Sequence, residues 1–246
     1  MARAATSPLP VGQSCVETLV ERAVSLIHSD ILTGVLAPDA KLRIHELSRR
    51  YNTGPTPIRE ALSRLCLRGF VVASTNRGFR VRPISRADLE DIVGTRLIVE
   101  IEALRLSIAR GGDEWEAAVL SSFGRLLKVA DREEGNVYQK IRPEGVTEFE
   151  SAHKQFHSSL ISACGLPRLI ELHEMLYDQT YRYQYVAFQS AVRYPRLREV
   201  HVEMVEAAIA RDVKTVSEHL TNHILSTLMI VYPESRKDYP QFGRER

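Results

Sequence analysis

Between Phe70 and Ile84 the helical spacing that governs most of this 246-residue chain gives way to two short extended runs, FVVAS and GFRVRPI, around a turn holding Asn76 and Gly78. Such runs about an Asn/Gly turn predict a two-stranded hairpin, and its place in the chain constrains the fold. Ahead of it, VETLVERAVSLIHSDILTG sets Leu19, Ala23, Leu26, Ile27 and Ile31 at helical spacing and stops at Gly34, and LAPDAKL reads as the turn that follows. RIHELSRRYN predicts a short second helix, TGPTP breaks it, and PIREALSRLCLRG predicts a third that opens on Pro57 and stops at Gly69. Three helices followed by a hairpin make a winged helix-turn-helix. Behind the hairpin, Ser85 and Asp88 resemble a capping box, and helices are expected over 86–110, 114–134, 147–164, 167–190, 195–211 and 213–232. Glycines close the first three, and no convincing strand pattern interrupts the series.

The chain exceeds the ~100–150 residues of one typical domain, and its 44% apolar content can fill two cores. The expected fold class is mainly α: a winged helix-turn-helix over 14–84 and an antiparallel all-α bundle over 85–232. A loose arm (1–13) and a polar, mobile tail (233–246) are expected at the ends. No apolar run approaches the ~20 residues of a membrane-spanning helix, and the first residues lack the apolar run of a signal peptide, which predicts a cytoplasmic protein. Cys15, Cys66 and Cys164 lie far apart and suggest neither a disulfide framework nor a cysteine zinc site.

The net charge of +2 hides an uneven distribution: eleven Lys or Arg lie from Lys41 to Arg86, against only Glu46 and Glu60. A basic module of this kind is the electrostatic footprint of phosphate binding, although a scaffold-only winged helix would also carry a solvated charged surface. In a helix-turn-helix the second helix of the pair enters the major groove. That assigns Thr56 to a phosphate at the helix N-terminus and Arg59 to a guanine edge or a phosphate. At the wing tip, Gly78 allows close backbone approach and Arg77 can enter the minor groove. The stretch from RIHELSRRYN to GFRV, with its PIREALSRL core and NRGFRV wing, resembles the GntR family of bacterial transcription regulators. The resemblance implies a homodimer on double-stranded operator DNA. The family usually has an arginine where this chain has Pro55, and often one where it has His45; both departures remove a cation from the DNA surface, with His45 left in that place.

Counting 100° per residue, the apolar stripe of helix 147–164 is Phe149, Phe156, Leu160 and Ala163, with His153 inside it and His157 on its border. His201 falls inside the stripe of Leu197, Met204, Val205 and Ala208, and His223 inside that of Val216, Leu220, Ile224 and Thr227. His219 lies toward an edge and His173 farther out. A single inward histidine is ordinarily hydrogen-bonded core. Several are costly to bury without partners, and one metal ion would satisfy them together. An all-imidazole set favours zinc, nickel or copper over magnesium or calcium. Arg96 and Glu100, four residues apart on the stripe of Leu89, Ile92, Val93 and Ala103, suit an internal ion pair.

Residues 86–232 resemble the FCD effector domain of the FadR-type branch of GntR regulators. Many FCD domains hold a divalent metal through an aspartate and three histidines. The matching positions are His157, His201 and His223, with His153 where the aspartate usually stands. Without a carboxylate ligand the metal would keep its double charge and draw an anionic effector. The resemblance further implies that Arg96 faces the ligand cavity and grips an effector carboxylate; Arg182 and Tyr183 of YRYQY are secondary candidates. SIARGGDEWEA, GPTPIREALS, FHSSLISACG and AAIARD are most similar to the repressors of glutarate catabolism, which implies a small carboxylate effector, glutarate or 2-hydroxyglutarate, that releases the operator. An activator of the same architecture is also compatible with these residues. A metal-dependent hydrolase or lyase is disfavoured, because HKQFH lacks the glutamate of a His-Glu-x-x-His pair and no other acid reads as inward beside the cluster.

Overall fold

Thr18 opens the first helix, α1 (Leu19–Leu32), with a reciprocal capping box: its hydroxyl accepts from the Glu21 N–H, and the Glu21 carboxylate accepts from the Thr18 N–H. The structure is a computed structural model that describes residues 18–74, 78–133, 148–187 and 197–238. After α1 come β1 (Lys41–Leu42), α2 (Ile44–Arg50), α3 (Pro55–Leu67), β2 (Val71–Ser74) and β3 (Gly78–Val81). The three strands form one antiparallel sheet in the order β1-β3-β2, with Leu42 opposite Phe79 and Val71 opposite Val81. The expected hairpin is therefore joined by a strand that LAPDAKL, read as a turn, did not suggest. Two residues are too few for an alternating pattern, and β1 is held in place by β3. Ala23, Ile27 and Ile31 of α1 and Ile58, Leu62 and Leu65 of α3 close over Phe70 and Val81 to make the first core.

Helices α4 (Arg86–Arg110), α5 (Asp113–Glu133), α6 (Glu148–Ile161), α7 (Pro167–Ala187), α8 (Leu197–Ile209) and α9 (Val213–Val231) make the mainly α remainder, as expected from the glycine-punctuated pattern. Their second core includes Leu89, Leu104, Val119, Phe156, Leu160, Met204, Leu220 and Leu228. Among the described residues, no helix is long and apolar enough to cross a membrane. The tail is not uniformly loose: Pro233–Lys237 forms a 3-10 turn with Ser235 buried, and Asp238 pairs with Arg86. The expected arm, 1–13, and residues 239–246 lie outside the described residues.

α7 joins the two cores. Leu176 and Tyr183 belong to the helical core, Tyr181 and Tyr185 to the winged-helix core. Polar groups finish the seam: Gln179 donates from Nε2 to the Arg68 carbonyl (2.8 Å), and Arg182 from Nη1 to the Arg82 carbonyl (3.1 Å). Ser85 caps α4 by accepting from the Asp88 N–H, but the other half of the expected box is replaced: Tyr183 donates to the Asp88 carboxylate and accepts from the Ser85 N–H (3.2 Å). Tyr183→Phe keeps the ring and removes both hydrogen bonds. It should cost about 1–3 kcal/mol, read as a lower urea midpoint with an unchanged denaturant slope.

Candidate metal centre

α6 presents His153 and His157 one turn apart, α8 presents His201 and α9 presents His223. One ring nitrogen from each of the four lies within 4.8 Å of the others. His153 Nε2 stands 3.0 Å from His201 Nε2 and 3.2 Å from His157 Nε2. Ligands bound at about 2.0–2.1 Å in a tetrahedron are separated by about 3.3 Å, so these two separations fit a first-row divalent ion, and the rest of the set lies within 4.8 Å. Burial, followed by the neighbouring imidazoles, holds His153 and His157 well below the ordinary histidine range; burial and then His201 do so for His223. Neutral imidazole is the form that donates a lone pair to a metal.

Beside the cluster, Arg96 and Glu100 form a buried two-pronged pair, from Nε (2.6 Å) and Nη2 (3.3 Å). His173, which helical counting placed outward, is fully buried on α7 with Nδ1 3.2 Å from Glu100 and Nε2 3.2 Å from the Ser158 hydroxyl. The buried face runs through His173, Leu176, Tyr177 and Thr180, while the apolar Leu172 beside His173 is exposed. Burial opposes the Glu100 charge, yet Arg96 and His173 hold its carboxyl down at about 2.

Arg96, His153, Tyr177, Thr180, Gln184 and His223 face a small cavity of about 10 Å³, completed by Tyr181, Ile224 and Thr227. That is room for about one water molecule, so a larger ligand enters only as the cavity walls move apart. The structure thus puts Arg96 in the internal ion pair and at the cavity wall at once. It places Arg182 and Tyr183 elsewhere: neither lines the cavity, and their side chains serve the seam with Arg82, Ser85 and Asp88. An aromatic run on a helix spreads its members over different faces, and here Tyr177 and Tyr181 are the ones that reach the cavity wall. Sequence reading also missed Glu150, an inward acid near the cluster; it is buried one turn before His153 and reached through Tyr177. Burial pushes its carboxyl up to about 7. The three-residue spacing of Glu150 and His153 was the available signal.

On the winged helix, His45, Thr56 and Arg59 are exposed, and Gly78 begins β3 with φ +76°; Arg77 lies outside the described residues. α3 starts at Pro55 rather than Pro57, which leaves Thr56 with the backbone N–H nearest its start, since both flanking prolines lack one. Arg43, Arg50, Arg64 and Arg80 pair with carboxylates, whereas Arg49 and Arg59 have no such partner among the described residues.

Residues 19–81 match the model of the bacterial regulatory proteins of the gntR family, and residues 91–226, over half of the chain, match the FCD domain. The chain is a GntR-family transcriptional regulator with an FCD domain. The regulator is 34% identical to the HTH-type transcriptional regulator BphR of Paraburkholderia xenovorans, over 92% of this chain and 89% of that protein. It is also 34% identical to the HTH-type transcriptional repressor GlaR of Escherichia coli, over 83% of this chain and 92% of the relative. Among solved structures, Escherichia coli McbR/YncC shares the fold with a TM-score of 0.69 at 20% identity, covering 88% of this chain and 98% of that one. The family and these relatives are regulators, so the enzyme alternative falls away.

The depressed Glu100 carboxyl has a signed consequence. Its contribution to stability is present above the ordinary carboxylate range, near 4.5, and is lost as pH falls from there toward about 2. At pH 7, Glu100→Gln should destabilise the regulator by about 3–5 kcal/mol, because Arg96 loses its buried partner. Denaturation of both proteins from pH 7 to 3 should show the gap narrowing below about pH 4.5.

Proposed function

We propose that this regulator is a cytoplasmic repressor that binds its operator as a homodimer, holds one divalent transition metal on His153, His157, His201 and His223, and leaves DNA when a small dicarboxylate enters the adjoining cavity. The convergence of four imidazoles beside an arginine-walled cavity, in a chain of the GntR and FCD families, carries this reading. Zinc, nickel and copper suit an all-nitrogen set. When bound, the ion supplies a positive charge that attracts and coordinates a carboxylate. Arg96 supplies the second anionic contact: Nε and Nη2 are committed to Glu100, so a ligand meets Nη1. Two separate anchors, a cation and a guanidinium N–H, favour a dicarboxylate over a monocarboxylate. The likeness of SIARGGDEWEA and its companion stretches to glutarate-catabolism repressors favours glutarate or 2-hydroxyglutarate.

Thr56 and Arg59 of α3 contact the major groove, His45 the neighbouring backbone, and Arg77 and Gly78 the minor groove. The signal travels through α7. One side of it walls the cavity, while Gln179 and Arg182 hold the carbonyls that follow α3 and β3. An effector that binds two seatings of α7 unequally shifts the regulator between them.

Fluorescence anisotropy on DNA from upstream of the regulator's own gene tests this reading. Tight binding, released by glutarate or 2-hydroxyglutarate, is expected; binding that neither compound disturbs overturns the effector assignment. Arg59→Ala should weaken operator binding by roughly 5- to 150-fold, the equivalent of about 1–3 kcal/mol, and unchanged affinity would refute the groove geometry. Replacing His157 and His201 together with alanine should remove metal retention in elemental analysis. A double variant that still purifies with about one metal per chain would exclude the site.

A further inference from the structure

One candidate ligand is gripped from behind. His153 Nδ1 lies 2.6 Å from the Tyr177 hydroxyl, and that hydroxyl donates across 2.8 Å to the Glu150 carboxylate. All three side chains are buried, with Tyr177 only 5% exposed. A phenol has a single proton to give. With Glu150 ionised, that proton goes to its carboxylate, and the oxygen facing His153 accepts. Nδ1 therefore carries the ring hydrogen, and the lone pair is left on Nε2. Nε2 is also the nitrogen that faces His201 and His157, at 3.0 Å and 3.2 Å.

We propose that Tyr177, oriented by Glu150, is a positioning residue that fixes His153 in the one tautomer able to bind a metal through Nε2. The inference rests on the metal-centre reading above and adds to it the groups that decide which nitrogen is available. A histidine ligand needs its second nitrogen held in this way to keep both tautomer and ring orientation. Tyr177 stands on α7, so the same hydroxyl ties the orientation of His153 to the helix that reaches Arg68 and Arg82.

Tyr177→Phe removes the hydroxyl and keeps the ring, including its place 5.2 Å from the Arg96 guanidinium carbon. Cobalt(II) binding to the full-length parent and variant, measured by chelator competition with the visible absorption of the bound ion as readout, gives the first test. The variant should bind cobalt about 10- to 100-fold more weakly and with a shifted band. Binding within about threefold of the parent, with an unchanged spectrum, would overturn the proposal. A second measurement needs no variant: the ring 15N shifts of His153 in the metal-free parent should report hydrogen on Nδ1, and hydrogen on Nε2 would overturn the proposal as well. A parent that takes up no cobalt, zinc or nickel would remove the metal centre itself and the role of Tyr177 with it. Cobalt binding in the parent with no loss in the variant would remove only the role of Tyr177.

Discussion

Residues 176–185 of α7 have no exposed member, and this enclosure is the constraint on which both halves of the molecule depend. A surface helix usually keeps a polar face toward water. α7 instead gives Leu176 and Tyr183 to the helical core and Tyr181 and Tyr185 to the winged-helix core. Its polar side chains must then find partners inside the protein, because an unpaired buried group is costly. Gln179 and the Nη1 of Arg182 find them in backbone carbonyls of the DNA-reading half, and Tyr177 in Glu150 and His153, while Nε and Nη2 of Arg182 stay buried without a hydrogen bond. The helix cannot be reseated on one side without disturbing hydrogen bonds on the other.

The charges around the cavity are arranged to leave a positive excess once an ion is present. Arg96 and Glu100 largely cancel each other, His173 supports Glu100, and burial pushes His153, His157 and His223 toward the neutral form. No member of the four-histidine set brings a negative charge to offset a divalent ion. On the proposed reading, an anionic ligand would complete the site electrostatically, and unequal binding to two seatings of α7 would supply the free energy to act on that helix.

Much of this was legible in the sequence. The hairpin, the glycine-closed helices and the stripes holding His153, His157, His201 and His223 follow from local periodicity and turn chemistry, which one chain carries in full. β1 was missed because its two residues are extended only through pairing with β3. Arg182 and Tyr183 were given to the cavity because a helix segment buried on more than one side has no single apolar stripe to count from, and His173 was set aside because the apolar residue beside it, Leu172, faces outward. Glu150 escaped notice for a related reason: its partner, Tyr177, is 27 residues away, and only tertiary packing brings them together.

Hydrogen exchange of the full-length, zinc-loaded protein with and without glutarate or 2-hydroxyglutarate tests most directly whether cavity and DNA face communicate through α7. The expected result is slower exchange in residues 176–185, accompanied by a change in 64–70 at the end of α3. An effector response confined to α6, α8 and α9, with 176–185 and 64–70 unaltered, would contradict it.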